Sequence, residues 1–469
     1  MASSLLSEFV RILLCAFVLS VRSSFEKKVL VHGAQITFPV CSLSPSINCA
    51  APTTNVNSAL NLVHKHGPGS QLFDGGPINH TKVLLEDMAR VKWIQSKISN
   101  SISGTSDLKE SNVSLPASYG SGGSSYVVTV GLGTPTKNLT LLFDTGSALT
   151  WTQCEPCIGS CYNQTEPIFN PSRSSSYANI SCSAPSCIQL PSGTDQLTGC
   201  SGSTCVYGAS YGDASFTDGF FATETLTLTP TDVITNFEFG CGENNQGTFD
   251  GFAGLLGLAR DPVSIIEQSA TQYGRYFSYC LPRSTSCTGY LTFGRGTVTS
   301  ASLNFTPMVT IAQNPLFYGI NITGISVGGN PLSIPSTVFS NAGAIIDSGT
   351  TLTSLPPTAY TALQSAFQKA MANYTSAPPI YPFDTCYDFS MFSTITVPVI
   401  TFSFDGPINV ELDWSGMFYW VNASEVCLAF VANNADTDGV IYGNTQQRTF
   451  EVIYDVPGGQ IGFGAQGCS

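Results

Sequence analysis

Two short runs in the sequence combine residue types suited to acid–base chemistry. Asp144-Thr145-Gly146 is followed by Ser147, and Asp347-Ser348-Gly349 by Thr350. Apolar triplets precede them, Leu141-Leu142-Phe143 and Ala344-Ile345-Ile346. One Asp-[Ser/Thr]-Gly alone reads as a turn, because all these residue types favour turns. Two copies sharing a lead-in and a trailing hydroxyl make a repeat. Each copy is also followed, further along, by two apolar residues and a glycine: Leu255-Leu256-Gly257, then Ile441-Tyr442-Gly443. A compound pattern repeated in one order predicts two similar lobes, each delivering one aspartate to their interface.

Two carboxyls brought close cannot both ionise easily, so one pKa rises and the pair shares a proton. The ionised member can then act as general base on a water, while the protonated one hydrogen-bonds a scissile carbonyl. Gly146 and Gly349 permit close backbone approach, and Ser147 and Thr350 can hold the carboxylates by hydrogen bonds. The scheme requires no metal, cofactor or protein nucleophile. The four histidines stand at 32, 64, 66 and 80, so the rest of the chain offers no Ser-His-Asp arrangement. The Cys154/Cys157/Cys161 cluster likewise lacks a neighbouring histidine that would favour zinc over disulfides.

The surrounding elements must hold these aspartates rigidly. From Tyr126 onward the sequence runs in short alternating or β-branched stretches, for example 126–130, 139–143, 225–229, 318–327 and 395–402, separated by turn signals. This predicts an all-β body. Residues 25–120 differ. They contain one helical pattern, 81–99, with Val83, Leu84, Met88, Val91, Ile94 and Ile98 near helical spacing. A Ser/Gly-rich stretch, 101–125, follows and reads as an exposed, cleavable linker.

Charge divides the chain in the same way. Of 469 residues only 10% are charged, against roughly 25% in ordinary soluble domains. Residues 25–120 carry 8 basic and 6 acidic residues, whereas residues 121–469 carry 8 basic and 24 acidic ones. So acidic a body disfavours nucleic acid and anionic membranes. Residues 12–21 form a short apolar run flanked by Arg11 and Arg22, the pattern of a signal peptide and too short to span a bilayer. A secretory route accounts for the cysteines as a disulfide framework. It also makes glycosylation candidates of the sequons at Asn138, Asn163, Asn179, Asn304, Asn321, Asn373 and Asn422. Thirteen cysteines from residue 154 onward leave one over.

With FDTGS and IDSGT go Leu149-Thr150-Trp151-Thr152-Gln153-Cys154, Phe239-Gly240-Cys241-Gly242, Phe277-Ser278-Tyr279-Cys280, Gly324-Ile325-Ser326-Val327-Gly328-Gly329 and Ile461-Gly462-Phe463-Gly464. On these motifs the chain resembles the pepsin-like aspartic proteases, in particular the plant nepenthesin-like, chloroplast-nucleoid-protease-like group, from about Leu60 to Ser469. His64-Lys65-His66-Gly67-Pro68 and Ala89-Arg90-Val91 resemble that family's propeptide. The resemblance implies a bilobal all-β pepsin-like fold with a cleft between the lobes. The parts would be a signal (1–24), a propeptide (25–120), an N-terminal lobe (121–300) and a C-terminal lobe (301–469).

It implies Asp144 and Asp347 as the catalytic pair, supported by Thr145, Gly146, Ser147, Ser348, Gly349 and Thr350. Tyr211, Gly212 and Asp213 would form a flap over the substrate, with Trp151 beside it. Ala148 and Ala214 depart from the family pattern, and Cys287 looks extra to it and is expected to be the unpaired thiol. The expected protein is a secreted zymogen that cleaves peptide bonds in acid. It is expected to be a monomer with neither metal nor membrane anchor, its own propeptide serving as inhibitor. The apoplast is its foremost compartment, ahead of vacuole or plastid. The alternative is a catalytically silent binding or inhibitor protein on the same fold.

Overall fold

The computed structural model describes residues 31–40, 59–99, 126–190, 198–295 and 303–468, except for 33, 74, 77, 213, 214, 248, 250, 407 and 423. The apolar run 12–21, the linker 101–125, Asp213 and Ala214 therefore lie outside the described residues.

The strands fall where the alternation predicts, and the two aspartates end equivalent units. In the N-terminal lobe, strand Lys137–Asp144 runs parallel to Gly254–Gly257, which pairs antiparallel with Trp151–Gln153. In the C-terminal lobe, strand Ala344–Ile346 runs parallel to Val440–Tyr442, which pairs antiparallel with Thr353–Leu355. The glycines of the two trailing motifs therefore lie level with, or just beyond, the aspartates they were paired with in sequence. The three apolar residues before each aspartate are buried, as a strand covered on both faces requires.

Two expected long strands are each broken into two. Residues 318–327 form Tyr318–Ile320 and Ile322–Val327, which belong to different sheets. Residues 395–402 split into Thr394–Pro398 and Ile400–Phe404 for the same reason. Continuous β propensity does not mark where the chain passes from one sheet to the next.

The segment before the body is built into the fold. Strand Ala59–His64 lies between Thr288–Phe293 and Tyr126–Leu132 and pairs with both. Helix His80–Ser99 occurs where the periodicity predicts it, and Val83, Leu84, Val91 and Ile94 are buried. Leu84 packs with Leu352, Phe383 and Tyr419 of the C-terminal lobe, while Val91 and Ile94 pack with Phe317, Ile345 and Ile441.

Among the described residues, six disulfides join Cys154–Cys241, Cys157–Cys161, Cys182–Cys200, Cys187–Cys205, Cys280–Cys468 and Cys386–Cys427. The expectation for Cys287 is corrected. Cys287 is disulfide-bonded, and no cysteine among the described residues is free. Its partner lies outside the described residues. The odd count arose from treating the body as a closed set, although Cys41 and Cys49 belong to the same polypeptide.

Candidate active site

Asp144 and Asp347 converge where the two strand units meet, and neither is exposed to solvent. Their loops interlock. The Thr145 N–H donates to Ser348 Oγ at 3.0 Å, and the Ser348 N–H donates to Thr145 Oγ1 at 2.9 Å. Each carboxylate accepts from the glycine two residues on, Gly146 N–H at 2.9 Å and Gly349 N–H at 3.1 Å. Each also accepts from the following hydroxyl, Ser147 Oγ at 2.5 Å and Thr350 Oγ1 at 2.6 Å. The glycine at 146 is required sterically, since a Cβ there would stand 2.7 Å from Asp347 Oδ1.

The Asp347 loop has a further layer of support that the sequence reading missed. Gln447 Nε2 donates to the Asp347 carbonyl at 3.2 Å, and Asn444 Nδ2 donates to the Ser348 carbonyl at 3.0 Å. Both residues follow Gly443, and nothing in a local motif marks them.

Tyr211 and Gly212 sit at the tip of the hairpin formed by Thr204–Ser210 and Phe216–Thr229. Trp151 Nε1 donates to Tyr211 Oη at 2.6 Å, tying the hairpin tip to the strand that leaves the first aspartate. Ala148 is buried beside Gly257, where a polar side chain would have had to find a partner. Of the sequon asparagines, six are exposed; Asn321 is half-buried and donates to Asp405 Oδ2 at 2.7 Å.

The helix before the body occupies this cleft, and Arg90 is its central contact. Arg90 Nη2 donates to Asp144 Oδ1 at 2.7 Å and to Asp347 Oδ1 at 3.1 Å. Nη1 reaches Asp144 Oδ2 at 3.1 Å, and Nε reaches Asp347 Oδ2 at 3.0 Å. One planar fork thus satisfies both carboxylates, a geometry that lysine could not reproduce. Three residues earlier, Asp87 accepts from the N–H groups of Thr351 at 2.5 Å and Leu352 at 3.0 Å. On the other side of the helix, Trp93 packs against Gly212 so closely that a Cβ at 212 would collide with it. The helix therefore touches the 204–229 hairpin tip, both aspartates and the C-terminal lobe at once. Sequence reasoning had singled out Ala89-Arg90-Val91 by resemblance, but it identified neither the Arg90 contacts nor Asp87.

The electrostatics follow from burial. Desolvation raises the pKa of Asp144; Arg90 pulls it down and the neighbouring Asp347 pushes it up. Burial pushes Asp87 up to about 7, against the pull of the two amides.

A bilobal, mostly β protein with paired aspartates on matched strand loops has pepsin-like architecture. The solved structure of basic 7S globulin from soybean shares this fold, with a TM-score of 0.57 at 19% identity, covering 72% of this chain and 91% of that one. The families described as xylanase inhibitor N-terminal and xylanase inhibitor C-terminal match residues 126–295 and 317–465. An aspartyl protease family protein of Arabidopsis thaliana is 49% identical over 95% of this chain and 94% of its own length. The aspartic proteinase nepenthesin-2 of Nepenthes gracilis is 37% identical over 75% of this chain and 80% of its own. The chain belongs to the family of plant pepsin-like aspartic proteases.

Proposed function

We propose that the chain is an aspartic endopeptidase, made as a zymogen and delivered through the secretory pathway. The observation that carries this reading is the sharing of Arg90 between two buried carboxylates. Residues 1–24 act as signal, 25–120 as propeptide, 121–300 and 301–469 as the lobes. With the helix docked, Arg90 fills the space where a peptide bond and its attacking water would meet. Once the helix leaves, one of the two carboxyls takes up a proton, as a close pair in a desolvated site must. The ionised member draws a proton from the water as it attacks the scissile carbonyl; the protonated member hydrogen-bonds the developing oxyanion. The reciprocal Thr145/Ser348 bonds hold the two aspartate loops together through this exchange. Tyr211 and Gly212, with Asp213, close over the substrate and exclude water.

Acid supplies the trigger. Burial holds the Asp144 pKa above its ordinary value, while Arg90 pulls it down; the attraction to Arg90 therefore belongs to the ionised form, and protonation of Asp144 weakens the hold on Arg90. A buried guanidinium facing a neutral carboxyl is poorly compensated. The mature body acts on protein or peptide substrates as a monomer, without membrane anchor, metal or nucleic acid. Among the described residues no helix is long and apolar enough to cross a membrane. The apoplast is the foremost destination, ahead of vacuole and plastid.

The test is acid treatment of the purified full-length chain over about pH 3–6, where such carboxyls titrate, with N-terminal sequencing and peptide-library profiling with and without pepstatin. Pepstatin-sensitive cleavage is expected. A second reading, a catalytically silent binding or inhibitor protein, draws support from the description of the matching families. It is favoured if no cleavage appears across that range.

A further inference from the structure

Strand Thr394–Pro398 of the C-terminal lobe has a single ladder partner among the described residues: strand Gln35–Pro39, from the start of the chain. The register runs from Gln35 opposite Pro398 to Pro39 opposite Thr394. Flanking bonds extend it, Val399 N–H to the Ala34 carbonyl at 2.9 Å and Val40 N–H to the Ser393 carbonyl at 3.0 Å. Antiparallel alternation then puts residues 34, 36, 38 and 40 at hydrogen-bonded positions and 35, 37 and 39 at the others. Both prolines of the ladder, Pro39 and Pro398, fall where no N–H is required.

The outward-facing groups of Thr396 are already satisfied. Its N–H donates to Tyr374 Oη at 2.8 Å, and Tyr374 Oη donates to its carbonyl at 3.0 Å. The Thr37 and Thr396 hydroxyls meet at 2.9 Å. Ile36 and Phe38 are buried against Ile395 and Val397, with the Phe38 ring stacked on Trp414 at 5.1 Å between centroids. In strand addition, main-chain hydrogen bonds supply affinity and pockets for alternate side chains supply specificity; this edge and the Phe38 site offer both.

We propose that the edge of strand Thr394–Pro398, with Trp414, is a strand-addition site for this chain's own residues 34–40. It retains the N-terminal segment after the chain is cut between residues 99 and 126. This rests on the zymogen reading above and adds that the working protein consists of two polypeptides. Only helix His80–Ser99 vacates the cleft; its hold depends on the charges of Arg90. Beyond the Cys287 disulfide, whose partner lies outside the described residues, the hold on residues 34–40 is backbone pairing and apolar burial. Its loss would leave the Ile395 and Val397 backbone groups unpaired and reopen the Phe38 site. Strand Ala59–His64 adds a second attachment, paired on both edges, with Leu60 and Leu62 buried.

The experiment places a site-specific protease sequence in the linker of the full-length chain, cuts it, and follows hydrogen exchange of the peptide covering 394–398. In the wild type the cut should leave its protection unchanged, and Phe38→Ala should speed its exchange at least about tenfold after cutting. Size exclusion of a cut Cys287→Ser variant, which lacks the one disulfide not closed among the described cysteines, should keep the N-terminal fragment with the body. Loss of protection at 394–398 on cutting the wild type overturns the proposal. Peptidase activity is read on the same cut sample. Retained protection without activity defeats the protease reading alone; activity with lost protection defeats this proposal alone.

Discussion

Arg90 and Asp144 form the closest of the charged contacts in the cleft, Nη2 to Oδ1 at 2.7 Å, and the same nitrogen lies 3.1 Å from Asp347 Oδ1. A single guanidinium thus bridges two carboxylates held by their own loops and offsets part of their mutual repulsion. Without it they would repel one another and one would protonate. On the zymogen reading proposed above, the docked helix is both a plug and a counter-ion.

Arg90→Ala removes both functions while leaving the aspartates as a proton-sharing pair. Breaking a buried ion pair costs about 3 kcal/mol or more. The helix should then dock on the order of a hundred times more weakly. The uncut variant is expected to cleave a fluorogenic peptide at mildly acidic pH, where the uncut wild type does not. Arg90→Lys should fall between the two, since an ammonium cannot fork to both carboxylates.

Asp87 acts in the opposite direction to Arg90. Its carboxyl has an ordinary pKa of 3.8 when free and about 7 when docked. A carboxyl raised on docking contributes most below its free value, and that contribution is lost as pH rises through about 7. Asp87 thus holds the helix more firmly as acid increases and opposes the Arg90 release. Asp87→Asn deletes this acid-dependent hold and one of two acceptors, so the pH midpoint of activation should move upward. It is read from initial activation rates across pH 3–7.

The Thr145/Ser348 exchange should matter to turnover more than to affinity. Ser348→Ala leaves the buried Thr145 N–H without its acceptor, at a cost of about 1–3 kcal/mol. Steady-state kinetics of the activated protein should show a fall in kcat with KM nearly unchanged.

Trp151→Phe removes the donor to Tyr211 but keeps the buried ring. The flap should be less well placed, and kcat/KM should fall by roughly tenfold, equivalent to one ordinary hydrogen bond of about 1.4 kcal/mol. The thermal midpoint should fall as well, since the smaller ring leaves a gap at a fully buried site.

The sequence was most legible where the physics is local and repeated. Apolar triplets running into Asp-[Ser/Thr]-Gly mark strands ending in tight loops, and their duplication points to the paired units. The helix around Arg90 was legible from its periodicity, but its partners were not, because they lie 54 and 257 residues away and no local pattern encodes that distance. Gln447 and Asn444 are ordinary amides until a turn folds them under Asp347. Residues 35–39 form a five-residue alternating run, too short to mark as a strand without its partner. The passages between sheets at Asn321 and Val399 interrupt runs whose propensity is uniformly β.

The central claim is that Asp144 and Asp347 act together as the catalytic pair. It is tested most directly by replacing each singly with Asn, activating the full-length variants beside the wild type, and measuring pepstatin-sensitive peptide cleavage alongside circular dichroism. The prediction is that both variants retain the wild-type spectrum and lose cleavage by a factor of at least about a thousand, since one unpaired carboxyl cannot supply both base and acid. Cleavage at wild-type rates in either folded variant would contradict it.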